Sequence, residues 1–441
     1  MHPPSVNPLY QQWLSLAATH AETLAVREVA TGREWSFAAL RDLAAAAPAS
    51  PPLLHATPRG LGLIVDVLRA WRDGVVLLAD DGSGVPPPPL ECLKPGICHL
   101  KITSGSTGTP RHVQFRPSQL AADAAQIVAT MGLRPEWPNL GVISMAHSYG
   151  FSNLVLPLLL HGIPLWILDS PLPETLRRVL DSIHPVTLAA VPAMWQAWDR
   201  VGLDFSNLRL AISAGAPLPC ALESVVFQRT GLKIHNFYGS SECGGIAYDS
   251  TDTPRTEPSL AGLPMAGVAL TCDPATGCLR ITSAAVADGY VASAPADAAT
   301  EPGDGTWLAP DVVRFDENGA VHLLGRAGEF ISVAGHKISP AVIEEMLLRL
   351  PGVRCCVVFG VPSTNPIRVE DLVAVVNLAD GTDLNSLKAT FDGRPSTFLP
   401  RSWWQCADLQ PDARGKLSRH HWRDRWLALQ STPCSPPNAT A

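Results

Sequence analysis

The sequence predicts an α/β protein: a large layered α/β N-terminal domain closing in a small β sub-barrel, then a small α+β C-terminal domain. Three observations carry this. Strand-like apolar runs alternate with segments of helical period from about residue 8 to 250, the pattern of layered α/β architecture. Between 258 and 325 the composition shifts to short β-prone runs punctuated by Gly, Asp and Pro. After Arg326 the pattern shifts again, into a segment of a size that folds independently. A length of 441 residues, 46% hydrophobic and 17% charged, suits two or three domains of ~150 residues. The expected divisions are 1–326, 327–430 and a Pro/Ser/Thr-rich tail at 431–441.

In order, the chain reads as a helix over Leu9–His20, a strand over Thr23–Glu28, a turn at Thr31–Gly32 and a helix capped by Ser36. Leu53–Ala56, Gly62–Arg72 and Val75–Asp80 make a strand–helix–strand unit, and prolines 86–89 form a linker. Helices follow at Pro117–Met131, Phe151–His161, Pro173–Ile183, Pro192–Arg200 and Pro219–Thr230. Between them lie strands at Leu140–Met145, Pro164–Leu168, Thr187–Val191 and Leu208–Ala214. Short strands L-T-C-D, C-L-R-I-T, W-L-A-P-D, V-V-R-F-D and V-H-L-L-G-R compose the sub-barrel. The last domain has a helix from Pro340, strands at Val353–Val361 and Leu372–Asn377, and a helix near Leu384–Phe391.

Basic residues number 33 against 40 acidic, a net charge of −7, so no overall positive field points to nucleic acid or an anionic membrane. The ten cysteines show neither C-x-x-C pairs nor zinc spacing, which predicts reduced thiols and a cytoplasmic location. The opening M-H-P-P-S-V-N-P lacks the basic and apolar regions of a signal peptide. The apolar run Asn153–Leu168 is interrupted by Pro157, His161 and Pro164 and reads as buried core, so no membrane insertion is expected.

The stretch Thr103–Arg111, T-S-G-S-T-G-T-P-R, combines glycines, hydroxyls and a cation. Gly105 and Gly108 allow close approach of the main chain, and Thr103, Ser104, Ser106 and Thr107 supply donors, as a phosphate cradle needs. A P-loop is excluded, because Pro110 and Arg111 stand where its second Gly and its Lys would be. The same composition also serves in surface linkers. Gly215–Ala216 and Tyr238–Gly239 each follow a strand, and ligands of open α/β sheets sit at such carboxyl ends. Taken singly, Glu242 reads equally as a solvated loop acid, His147 as a satisfied core histidine and Lys416 as a surface lysine.

With N-F-Y-G-S-S-E (236–242), G-D-G-T-W-L-A-P-D (303–311) with G-R (325–326), and P-D-A-R-G-K-L-S-R (411–419), the chain resembles the adenylate-forming superfamily over roughly residues 10–430. That superfamily, of AMP-dependent synthetases and ligases, holds acyl- and aryl-CoA synthetases, peptide-synthetase adenylation domains and firefly luciferase. The resemblance implies an ATP- and Mg²⁺-dependent ligase that converts a small-molecule carboxylic acid to an acyl-adenylate and passes it to coenzyme A. Carrier-protein phosphopantetheine is the alternative acceptor, and a catalytically weak nucleotide- or acyl-binding module is the alternative of another class.

By resemblance, Ser104–Arg111 wraps the β- and γ-phosphates, with Arg111 where the family usually has Lys. Tyr238 would lie against adenine, walled by Gly215, Ala216 and Gly239; Ser241 would meet the α-phosphate and Glu242 would hold Mg²⁺. Asp311 and Arg326 match the ribose-binding acid and its partner, Asp311 following Ala-Pro in place of the family's Thr-Gly. Lys416 matches the catalytic lysine carried on a mobile C-terminal domain, with a hinge at 326–330 where Gly328 takes the usual Asp or Lys position. Gly335 and Lys337 match the pantetheine passage and a neighbouring basic site. His147, in M-A-H-S-Y-G-F, matches the substrate motif, and Ser144–Phe151 with Cys243–Ala247 would line an apolar pocket for an aryl or medium-length acyl group. Only about 100 residues precede the phosphate loop, so the first subdomain is reduced relative to the family.

Overall fold

A computed structural model describes residues 7–57, 59–80, 84–103, 110–182, 185–291, 301–365, 368–411 and 417–431. The chain divides into two compact units, Met1–Leu323 and Leu324–Ala441. No described helix is long and apolar enough to cross a membrane.

In the first unit, five strands run parallel: Leu24–Glu28, Leu165–Ile167, Asn139–Gly141, Val186–Ala190 and Leu208–Ser213, in that spatial order. Ile234–Ser240 extends this parallel set beside Leu208–Ser213. Gly244–Tyr248 then turns back antiparallel, and Leu260–Pro264 pairs with it antiparallel in turn. The expected small β group joins the same ladder through the pairing of Leu260–Pro264 with Val321–Arg326, and continues to Thr306–Phe315, Cys278–Ser283 and Val268–Cys272. The turn Ser240–Gly244 therefore lies where the sheet changes from parallel to antiparallel, at the carboxyl end of a parallel strand.

W-L-A-P-D and V-V-R-F-D, expected as two strands, form one: Thr306–Phe315. The pairing with Cys278–Ser283 slips between Arg280↔Leu308 and Cys278↔Val312, so Pro310 occupies an irregularity where its missing N–H costs no ladder bond.

A second sheet pairs Leu53–His55, Val76–Leu78 and His99–Ile102 in parallel, with His112–Phe115 returning antiparallel. Helices Pro8–Thr19, Phe37–Ala46 and Gly60–Asp73 bury Trp13, Phe37, Leu40 and Trp71 with this sheet's apolar face in one core. Helix starts follow their sequence signals: the Ser36 hydroxyl accepts from Ala39 N–H, and Pro117 and Pro192 open their helices at the first turn. The helix expected over Phe151–His161 begins with a π-helical turn, Phe151–Val155, ahead of Leu156–His161, as an added residue widens the turn after M-A-H-S-Y-G.

His99 is 0% exposed, stacks on Phe151 at 4.2 Å between ring centres, and has no hydrogen-bond partner on either ring nitrogen among the described residues. Burial, reinforced by the neighbouring Lys101 charge, pushes its imidazole well below the ordinary range. An unfolded chain takes up that proton near pH ~6.5 while the folded chain stays neutral, so stability present above that pH is lost as the pH falls below it. His99→Phe is expected to keep the stacking and remove this loss, about 1 kcal/mol between pH ~6.5 and ~5.5. Urea titrations at both pH values check it; wild type and variant losing stability in parallel would contradict it.

The second unit is built on Val353–Pro362 paired antiparallel with Glu370–Leu378, and Ser402–Gln405 parallel to the latter. Helices Pro340–Leu348 and Leu384–Phe391 cover one face, burying Ile343, Leu347, Leu387 and Phe391. Beyond the elements expected from the sequence, the strand Ser402–Gln405 and the helix Arg419–Ser431 complete the unit. F-I-S-V-A-G-H-K-I forms a tight hairpin, Ile331–Val333 with His336–Ile338, whose two turn residues Ala334 and Gly335 have φ of 49° and 82°.

Candidate active site

The strands His99–Ile102 and His112–Phe115 hold the ends of the glycine-rich stretch together. Thr103 N–H donates to Arg111 O at 2.9 Å, and Arg111 N–H donates to the Thr103 hydroxyl at 3.2 Å. Ser104, Gly105, Ser106, Thr107 and Gly108 lie outside the described residues, as does Lys416.

From Arg111 a continuous set of contacts leads across the site. Its guanidinium carbon sits 3.8 Å from the centre of the Tyr290 ring. The Tyr290 hydroxyl donates to Glu242 Oε1 at 3.1 Å. Burial raises the Tyr290 phenol, with the Glu242 charge adding to the effect, so it stays protonated and able to donate. One residue before Glu242, Ser241 Oγ lies 2.8 Å from Ser148 Oγ, and the turn is braced by Glu242 N–H donating to Ser240 Oγ at 3.2 Å. Tyr238, on the strand entering this turn, donates its hydroxyl to Asp311 Oδ2 at 2.8 Å. Asp311 directly follows the irregularity at Pro310, which sets its direction.

Tyr290 escaped the sequence reading. It acts on a residue 48 positions away, from a segment that meets the second sheet by an isolated bridge to Val113. The G-Y pair at 289–290 was the only available signal.

His147 caps the short helix Ser148–Gly150, and its carbonyl accepts from Phe151 N–H at 2.8 Å. A Cβ on Gly150 would fall 2.1 Å from Ser144 O, so this turn closes only around glycine. Gly244 is equally constrained: with φ of 69°, its Cβ would fall 2.0 Å from Asp123 Oδ1. Asp123 accepts from Gly245 N–H at 3.2 Å and from the Ser152 hydroxyl at 2.5 Å, and lies 3.6 Å from Lys101 Nζ. This buried pair thus ties the strand entering the glycine-rich stretch to the strand leaving Glu242. Cys243, Ile246 and Ala247 are core residues, packed with Phe237 and Met265.

Gly215 has φ of 88° and is exposed beside half-buried Ala216, after the strand Leu208–Ser213. Behind them lies a buried charge network. Arg255 donates to Leu218 O at 2.7 Å, to Leu260 O at 2.8 Å and to Glu223 Oε2 at 2.9 Å. Lys233 meets the other Glu223 oxygen and donates to Asp249 Oδ2 at 2.7 Å. Two cations and two carboxylates thereby fasten the Gly215 loop, the helix Cys220–Thr230 and the strand Ile234–Ser240 to one another.

In the second unit, Arg326 ends the strand Val321–Arg326, and Gly328, with φ of 88° and open space around it, follows in the turn. Gly335 and Lys337 are exposed on the hairpin. Arg419, three residues after Lys416, is an anchor: it pairs with Glu344 at 2.6 Å and with Glu329, fixing the start of the last helix.

Among the described residues no group of three or more His, Cys, Asp or Glu is arranged to hold a metal ion. Glu242, in the turn Ser240–Gly244 and held by the Tyr290 hydroxyl, offers one carboxylate, the donor type that a hard cation such as Mg²⁺ takes.

A family model described as AMP-binding enzyme matches residues 17–291. A feruloyl-CoA synthase of Amycolatopsis sp is 28% identical over 366 residues, 78% of this chain and 73% of the relative. ATP-bound MatB from Rhodopseudomonas palustris superposes with a TM-score of 0.81 at 18% identity, covering 96% of this chain and 99% of that one. The o-succinylbenzoate CoA synthetase MenE from Bacillus subtilis, in complex with an acyl-adenylate intermediate, gives 0.80 at 18% identity, covering 94% and 98%. At such identities the structural likeness is one of fold.

Proposed function

Because the chain belongs to the AMP-binding enzyme family of the adenylate-forming superfamily, we propose that it activates an aryl or medium-length acyl carboxylic acid with ATP and transfers the acyl group to coenzyme A. The chain of contacts from Thr103 through Arg111, Tyr290, Glu242 and Ser241 to Ser148 carries this reading. It sets a cation, a carboxylate and a hydroxyl in series between a glycine-rich stretch and the M-A-H-S-Y-G-F turn.

An oxygen of the acid attacks the α-phosphorus, forming a P–O bond as the bond to pyrophosphate breaks. The work is positioning and charge neutralisation. Arg111 and the loop donors hold the departing phosphates, and Ser241 meets the α-phosphate. Tyr238 and Asp311 take the nucleoside, with Gly215 and Ala216 as the adenine wall. Magnesium bound by Glu242 would neutralise phosphate charge. His147 borders the acid, and the turn closed at Gly150 orients it. Lys416 is assigned to the developing charge between carboxylate and α-phosphate, Arg326 to the ribose, and Gly335 and Lys337 to the thiol arm. In the second step the CoA sulfur attacks the acyl carbon, a C–S bond forms and AMP leaves. The feruloyl-CoA synthase among the relatives supports an aryl acid.

Incubation with ATP, Mg²⁺, CoA and a panel of aryl, short and long acids tests the reading. The expected products are one acyl-CoA and stoichiometric AMP. Adenylate without thioester would move the acceptor to a carrier protein, and ATP binding without AMP would indicate a binding module.

A further inference from the structure

We propose that Tyr290 is a positioning residue that couples the phosphate-side cation Arg111 to the metal-side carboxylate Glu242, so that nucleotide and metal bind interdependently through one side chain. The inference rests on the nucleotide-site reading above.

The backbone around Tyr290 is fastened on both sides. Gln114 N–H donates to Gly289 O at 2.9 Å and Val291 N–H donates to His112 O at 2.9 Å. The Gln114 side chain donates to Tyr290 O at 3.1 Å. The segment thus travels with the strand His112–Phe115 that leaves the glycine-rich stretch. Two residues before Gly289, Ala287 N–H donates to Glu242 O at 2.8 Å, so the same segment also fixes the Glu242 backbone.

The side chain then joins the two functional groups. Arg111 lies over the ring face, and its Nε is buried without a hydrogen-bond partner among the described residues, where the ring is what holds this end of the guanidinium. A planar guanidinium can stack in this way, whereas a lysine ammonium is a compact, strongly hydrated charge. At its other end the phenol donates to Glu242 Oε1, leaving the carboxylate oriented. A hydrogen bond that orients a metal-binding carboxylate commonly contributes about 10–100-fold in metal affinity.

Two substitutions separate the two ends. Tyr290→Phe keeps the stacking surface and removes the donor; Tyr290→Leu removes both. Calorimetric ATP titrations of the full chain, with saturating Mg²⁺ and with EDTA, give the ratio of the two Kd values, a readout that a purely structural role would leave unchanged. Tyr290→Phe is expected to reduce that ratio by about 10-fold, while ATP affinity in EDTA stays at the wild-type value. Arg111→Lys is expected to weaken ATP binding in EDTA when Tyr290 is present and to have no further effect beside Tyr290→Leu. Should the Leu variant fail to fold, the Phe variant alone decides. A wild-type Kd ratio in Tyr290→Phe would overturn the inference, as would additive effects of Arg111→Lys and Tyr290→Leu. Failure of the wild-type protein to bind ATP at all would instead overturn the nucleotide-site reading.

Discussion

Replacing Glu223 by Gln is expected to destabilise the first unit by about 3–5 kcal/mol, the cost of leaving buried charge without its partner. Glu223 is 0% exposed and receives Arg255 on one oxygen and Lys233 on the other. Lys233 retains Asp249 after the substitution, but Arg255, 5% exposed, loses its only ion pair among the described residues. Its remaining bonds run to the neutral carbonyls of Leu218 and Leu260. The loss should therefore reach the Gly215 loop as well as global stability. Urea unfolding followed by tryptophan fluorescence, with ATP affinity measured on the folded variant, checks both. A change below about 0.5 kcal/mol would place these charges among surface pairs, whose contributions are of that size.

Glu242→Gln is expected to lower the rate of adenylation by about 10²–10³-fold, the scale seen when one preorganised electrostatic group is removed. The variant keeps the shape of the side chain and the braced turn at Ser240, so the fold should hold. It removes the charge for a metal ion and weakens the acceptor of the Tyr290 hydroxyl. Magnesium titration of the residual activity should show a higher half-saturating concentration, with KM for the acid little changed. Equal magnesium dependence in wild type and variant would assign Glu242 a structural part alone.

The helices with punctuation at both ends were legible. Pro117 and Gly132 bracket one helix, the glycine with φ of 64° at its C-terminus, and those residue types mark such ends by their own backbone restrictions. Thr306–Phe315 was not legible as one strand, because Pro310 reads as a breaker until a register slip in its partner accommodates it. Glu223, Lys233, Asp249 and Arg255 read singly as surface charges; only folding gathers them from a helix, two strand ends and a loop. Of the candidate site, Tyr238, Ser241, Glu242 and Asp311 were proposed from motifs that resemble a family's, and the fold brings Tyr238 to Asp311 and Ser241 to Ser148. Tyr290 was missed because its contact with Glu242 spans 48 positions and is made by a common residue type.

Carboxylate-dependent exchange of labelled pyrophosphate into ATP isolates the adenylation step from the choice of thiol. With an aryl or medium-length acid in the reaction, magnesium-dependent exchange is predicted, absent without acid and depressed in Glu242→Gln. ATP binding with no exchange for any aryl, short or long acid would contradict the assignment of this chain as a carboxylate-activating enzyme.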